Sequence, residues 1–157
     1  MATAGTDMRM KILIAVDEGS ESKDAIAFAK RMLPADADVI VLNVAQYSIT
    51  PYGTMSSLGG SYGDAVLTAD ALDRSVAEAD AEAERTVHEA STMLDHADER
   101  IEHGDAGPKI CEVAADESVD LVVLGTHQRS RWARLWFGSV SDHVVHNAPC
   151  PVMVVRS

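Results

Sequence analysis

Asp120-Leu121-Val122-Val123-Leu124-Gly125-Thr126 is the stretch that decides the fold. Its apolar, β-branched part reads as a buried strand. The strand breaks at Gly125, and a polar segment follows, His127-Gln128-Arg129-Ser130-Arg131-Trp132-Ala133-Arg134-Leu135-Trp136-Phe137. Gly138-Ser139 then opens a helix that reads on to Asn147. A strand that ends at a glycine, crosses a polar loop and enters a helix is how open α/β sheets build anion sites. Unpaired N–H groups at the helix start, with the positive end of its dipole, favour a phosphate there.

On both sides of this stretch, strand and helix patterns alternate. Met10 to Val16 is a continuous branched run of the kind found in a strand covered on both faces, which puts it at the sheet centre. It ends in Asp17-Glu18-Gly19-Ser20, where Ser20 or Ser22 is placed to cap the next helix. Ala25, Ile26, Ala29, Met32 and Leu33 recur at helical spacing until Pro34. Asp38 to Ala45 reads as a second strand, joined to the first by a right-handed crossover.

From about Ala65 a helix runs for some thirty residues, with Leu72, Val76, Ala79, Ala83, Val87, Ala90, Leu94 and Ala97 as one apolar stripe. His88 and His96 fall on its polar side. Arg100 to Gly104 is a short strand, and Pro108 suits the first turn of a helix ending near Ser118, with Ile110, Val113 and Ala114 inward. The helix after Gly138 turns Val140, Val144 and Val145 inward. Ala148-Pro149-Cys150-Pro151 halts it, and Val152 to Val155 is the last strand. Five strands alternating with four helices predict an α/β fold, a doubly wound five-stranded parallel sheet with helices on both faces.

The 157 residues suit one domain, taken as 9–157 after a flexible tail at 1–8. Residues 46–63 hold four glycines, a proline and three tyrosines and read as a long flexible loop, either a lid over the strand ends or a disordered insertion. The charge is lopsided, 25 Asp and Glu against 13 Lys and Arg, net −12. That balance argues against nucleic acid or an anionic membrane as partner. It suits a surface screened by high salt, a halophilic source, or else a mildly acidic mesophile. No apolar run reaches membrane length, and the N-terminus lacks the order of a secretory signal, so a cytoplasmic location is expected. Cys111 and Cys150 read as reduced, buried thiols; their spacing leaves a disulfide open.

Ligands in such sheets gather at the carboxyl ends of the strands. Asp17 closes the first strand and can contact ribose hydroxyls or a metal ion carried by phosphates, or else only shape the turn. Backbone groups near Val44 can read an adenine edge. His143 and His146 lie three apart on one helix near His127, but no further ligand completes a metal site. The chain has no nucleophile elbow and no P-loop. Trp132, Trp136 and Phe137 either anchor their loop or form a partner surface.

Taken together, Ile14 to Glu21, Gly104 through Pro108 to Ile110, Asp120 to His127, and Gly138-Ser139-Val140 continuing to Val155 resemble the universal stress protein family, over about Lys11 to Arg156. The resemblance implies strand order 3-2-1-4-5, a homodimer paired through the strand Val152–Val155, and an adenine nucleotide, ATP with Mg²⁺, bound for regulation rather than catalysis. Nucleotide-binding members carry Gly-x-x-Gly, nine residues, then Gly-Ser. Gly125 and Gly138-Ser139 match at that spacing, but the second glycine is Gln128. Carried over by position, Ala15, Asp17 and Val44 form the adenosine end, and Gly125, Gln128, Gly138, Ser139 and Ser141 the phosphate end. If residue 128 needs a left-handed backbone, glutamine costs roughly 1–2 kcal/mol there. Arg129, Arg131 and Arg134 add positive charge that favours a polyphosphate. Each residue keeps a structural alternative: Ser139-x-x-Asp142 also fits a capping box, and Gly125 also fits a simple turn. The competing functions are a dimeric scaffold that lost the phosphate site at Gln128, and an adenylate-forming enzyme, for which this chain lacks added substrate-binding segments.

Overall fold

The structure, a computed structural model, describes residues 9–46, 69–126 and 139–156. Strands β1 (Lys11–Ala15), β2 (Asp38–Ala45), β3 (Asp98–His103), β4 (Leu121–Thr126) and β5 (Val152–Arg156) alternate with helices α1 (Ser20–Met32), α2 (Ala69–Thr92), α3 (Ala106–Asp116) and α4 (Ser139–Asn147). All strand pairs are parallel, in the order β3-β2-β1-β4-β5. The α/β class, the doubly wound sheet and its order are as expected from the sequence. The chain builds outward from β1 through β2 to β3, then crosses back to β4 on the other side of β1. The direction of winding therefore reverses between β1 and β4.

The continuous apolar runs of β1 and β4 are explained by cover on both faces. Ile12, Ile14, Val41 and Val123 pack with Ala25, Ile26 and Ala29 of α1 and Val87 and Ala90 of α2. Leu13, Ile40, Leu42, Val122 and Leu124 pack on the opposite face with Ile110, Val113 and Ala114 of α3 and Val144 of α4. Each fully buried Val, Leu or Ile side chain is worth roughly 1.5–3 kcal/mol relative to exposure. The buried alanines contribute less each but let the helices lie close to the sheet.

Several expectations need correction. Met32 is exposed, because the chain leaves the helix at Leu33, whose extended backbone turns that side chain onto the core instead. Leu72 is exposed in the first turn of α2, well ahead of Ala83, where the buried part of that helix begins. Val145 is exposed because nine residues of helix bury one narrow stripe, Ser141 and Val144, and its neighbour points about 100° away. Helix α2 stops at Thr92, so Leu94, His96 and Ala97 follow it in a bend, although Leu94 and Ala97 still pack on the core. Neither Ser20 nor Ser22 caps α1: the cap is Gly19, without a side-chain bond, and Ser22 bonds Asp17. The tail 1–8 and residues 47–63 of the long loop lie outside the described residues.

Candidate functional site

A cavity of about 550 Å³ opens at the carboxyl ends of β1, β2 and β4. Ala15, Asp17, Val44, Gly125, Ser139 and Ser141 all line it. Gln128 and Gly138 lie outside the described residues, as do His127, the three arginines and the aromatic residues of the same loop. Adjacent strands are about 4.8 Å apart, so β2 and β4 stand roughly 10 Å from one another across β1. A nucleotide laid over the sheet edge would span that distance.

At β1, Asp17 has a structural duty. Its Oδ1 accepts from the Gly19 N–H at 2.9 Å and from the Ser22 hydroxyl at 2.7 Å, while its own N–H donates to Ser22 Oγ at 2.8 Å. One carboxylate oxygen thus fixes the entry to α1. The second makes no hydrogen bond with the described residues.

At β2, the ladder with β1 ends at the pair Ala15 and Leu42, followed by a bond from Val16 N–H to Leu42 C=O at 2.8 Å. The carbonyl of Ala45 points the other way, accepting from Gly104 N–H of the β3 side at 3.3 Å. Backbone groups alternate along a strand, so Val44 turns its N–H and C=O toward β1, past the end of that ladder. The Val16 carbonyl, which would otherwise meet Val44, accepts instead from Asn43 Nδ2 at 2.8 Å. Val44 therefore presents a donor and an acceptor side by side, the pattern an adenine edge complements.

At β4, Gly125 is not in the left-handed region; among the described glycines only Gly104 is, with φ of 126°. Its need for glycine is steric, since a Cβ would lie 2.5 Å from the Glu21 carbonyl oxygen. Beyond it, Ser139 begins α4 and is exposed, without the capping bond to Asp142 that its spacing allows. Ser141 is only 6% exposed and lines the cavity, and its hydroxyl has no hydrogen-bond partner among the described residues.

Sequence reasoning missed Asn43, which is 9% exposed and lines the same cavity. Its signal was one polar residue within the apolar run Val39-Ile40-Val41-Leu42-Asn43-Val44-Ala45. It also missed the acidic wall of Glu18, Glu21 and Glu82. Glu18 titrates above the usual carboxylate range, chiefly because it shares a hydrogen bond with Glu82, with burial and the charges of Glu82 and Asp17 adding to the effect and Arg85 opposing it. Opposing that negative charge are the starts of α1, α3 and α4, whose first-turn residues Glu21, Ala106 and Ser139 border the cavity.

Among the described residues, no three His, Cys, Asp or Glu side chains are grouped to hold a metal ion. His146 Nδ1 donates to the Asp142 carbonyl at 2.8 Å, and the His143 ring lies against Gly107 of α3. Cys111 and Cys150 are free and half-buried rather than fully buried, and desolvation pushes both thiols up.

Fold and cavity define an α/β protein of the doubly wound class with a cavity at the point where winding reverses. The chain belongs to the universal stress protein family: the model of that family, described as "Universal stress protein family", matches residues 8–156. It is 31% identical over 145 residues to the "Universal stress protein in QAH/OAS sulfhydrylase 3'region" of Thermus aquaticus, covering 92% of this chain and 97% of that one. The solved structure of hypothetical protein MJ0577, from Methanocaldococcus jannaschii, superposes with a TM-score of 0.73 at 21% identity, covering 96% and 97% of the two chains. A universal stress protein family protein of Arabidopsis thaliana, solved with AMP bound, superposes with a TM-score of 0.60 at 19% identity, covering 94% and 91%. At these identities the two structures speak for the fold.

Proposed function

We propose that this chain binds an adenine nucleotide over the ends of β2, β1 and β4 and acts through regulation rather than turnover. One observation carries the reading. Ser22, Asn43 and Ser141 are the buried polar side chains among the described residues. Ser22 is bonded to Asp17; Asn43 and Ser141 both line the cavity and leave an oxygen without a partner. Both oxygens stay open to the cavity, where a polar ligand can take the place of water on them. The base would meet Val44, the ribose Asp17, and the phosphates Ser139, Ser141 and the start of α4. A volume near 550 Å³ is within the range of small-molecule sites. The AMP held by the Arabidopsis relative supports the same ligand class.

ATP fits this arrangement with Mg²⁺ carried on its phosphates, and Asp17, Glu18, Glu21 and Glu82 are the described carboxylates that line the same cavity. The dimer would pair β5 with its twin, since β5 is the sheet edge next to β4. A second reading, a dimeric stress scaffold without nucleotide, is favoured by Gln128 in the sequence and by the acidic wall. Isothermal titration of ATP into the protein in molar KCl decides between them. Saturable binding supports the first reading; heats no larger than dilution leave the scaffold.

A further inference from the structure

The carboxamide of Asn43 can face the cavity in one sense only. Its partner on the protein side is the Val16 carbonyl, which accepts and never donates, so Nδ2 must take that side at 2.8 Å. Oδ1 is left as a fixed acceptor, without a partner, on a side chain that is nine-tenths buried and lines the cavity. Around it the wall offers little to donate: Ala79 and Ala83 are apolar, and Glu18 and Glu82 are carboxyls. Thr86 supplies the one hydroxyl of that α2 wall.

We propose that Asn43 is a specificity residue that selects a base bearing an exocyclic amine. The assignment rests on the nucleotide reading of the cavity and sharpens it. An amino group has two hydrogens. The Val44 carbonyl accepts one, and Asn43 Oδ1 accepts the other. A 6-oxopurine would set oxygen against oxygen at that point, and an unsubstituted purine would leave Oδ1 buried without a donor. Because Nδ2 is held by backbone, the carboxamide cannot flip to offer its N–H₂ instead without stranding the Val16 carbonyl. The discrimination is therefore built into the sheet and not into a mobile side chain.

The test compares AMP with purine riboside 5′-monophosphate, which lacks the amine, on wild type and on Asn43→Leu. Wild type should prefer AMP, and the preference should shrink about tenfold in Asn43→Leu, the worth of one hydrogen bond to a buried acceptor. The ratio of affinities is the readout, because a merely structural loss at Asn43 weakens both ligands alike. If AMP fails to bind wild type, the nucleotide reading falls and this assignment with it. If AMP binds and the ratio is unchanged in the variant, the nucleotide reading stands and Asn43 is not the selector. Should Asn43→Leu not fold, the Asn43 side-chain ¹³Cγ resonance of wild type gives the answer. It should move with AMP and not with the purine nucleotide; an unmoved resonance at saturating AMP overturns the proposal.

Discussion

The carbonyl oxygen of Glu21 stands 2.5 Å from the point that a Cβ on residue 125 would occupy. Strand β4 runs through Gly125 to Thr126 and does not break at the glycine as the sequence suggested; residue 125 is glycine because the first turn of α1 lies against it, whatever the cavity holds. Gly125→Ala should destabilise the ligand-free protein by about 1–3 kcal/mol, the usual cost of forcing an extra methyl into a packed site. Urea unfolding without nucleotide measures it. An unchanged midpoint would mean that α1 can shift freely, and that Gly125 answers to the ligand alone.

Ser141 presents the opposite case. Its hydroxyl bonds none of the described residues, so Ser141→Ala removes no contact among them that holds the fold. Stability should stay within about 0.5 kcal/mol of wild type. Affinity for ATP or AMP should fall by about 0.5–1.5 kcal/mol, the net worth of one hydrogen bond. A variant that binds as tightly as wild type would remove Ser141 from the phosphate end.

Two glutamates should respond to pH in opposite directions. Glu117 titrates below its ordinary range, first because Lys11 Nζ donates to it at 2.6 Å, and also because Arg100 Nη1 does so at 2.6 Å. A lowered acid stabilises the fold above its unfolded pKa, and that stability is lost as pH falls through the folded pKa. Glu18 titrates high beside Glu82, so the folded state holds its proton more tightly than the unfolded one, and stability declines as pH rises through the folded pKa. At pH 7, Glu18→Gln should therefore be more stable than wild type and Glu117→Gln less stable. The Glu18 gap closes as pH drops to the ordinary value of 4.5; the Glu117 gap closes only below it. Thermal midpoints from pH 3.5 to 8 check both, and parallel curves for Glu18→Gln and wild type would remove the shared hydrogen bond.

The strands were legible because burial on two faces leaves a plain mark, an unbroken branched run. Asp38 to Ala45 and Ser139 to Asn147 were read to the residue. Helix faces were read less well, because spacing alone does not say how far a neighbour reaches. Met32, Leu72 and Val145 carry the right periodicity but extend beyond the cover of the sheet. At the site, topology places Asp17, Val44 and Gly125 at strand ends and the family resemblance adds Ala15; all four line the cavity. Asn43 was hidden because it looks like an interruption of a core strand. Its meaning depends on the Val16 carbonyl 27 residues away in the chain, a contact that no local pattern contains.

Strand β5 bears the last prediction. The Val122 N–H donates to the Pro151 carbonyl at 3.0 Å, so Pro151 faces β4, and by alternation Met153 and Val155 do too. Val152 and Val154 then turn their backbone groups outward from the sheet edge, beside half-buried apolar side chains. An edge of that kind invites pairing with a second copy. Proline at 154 deletes an outward N–H while leaving the bonds to β4 in place. Wild type should sediment as a dimer at micromolar concentration, and Val154→Pro as a folded monomer with an unchanged far-ultraviolet spectrum. A monomeric wild type would refute the dimer outright. A variant that stays dimeric would move the interface away from β5, because pairing along this edge cannot spare the N–H that proline removes.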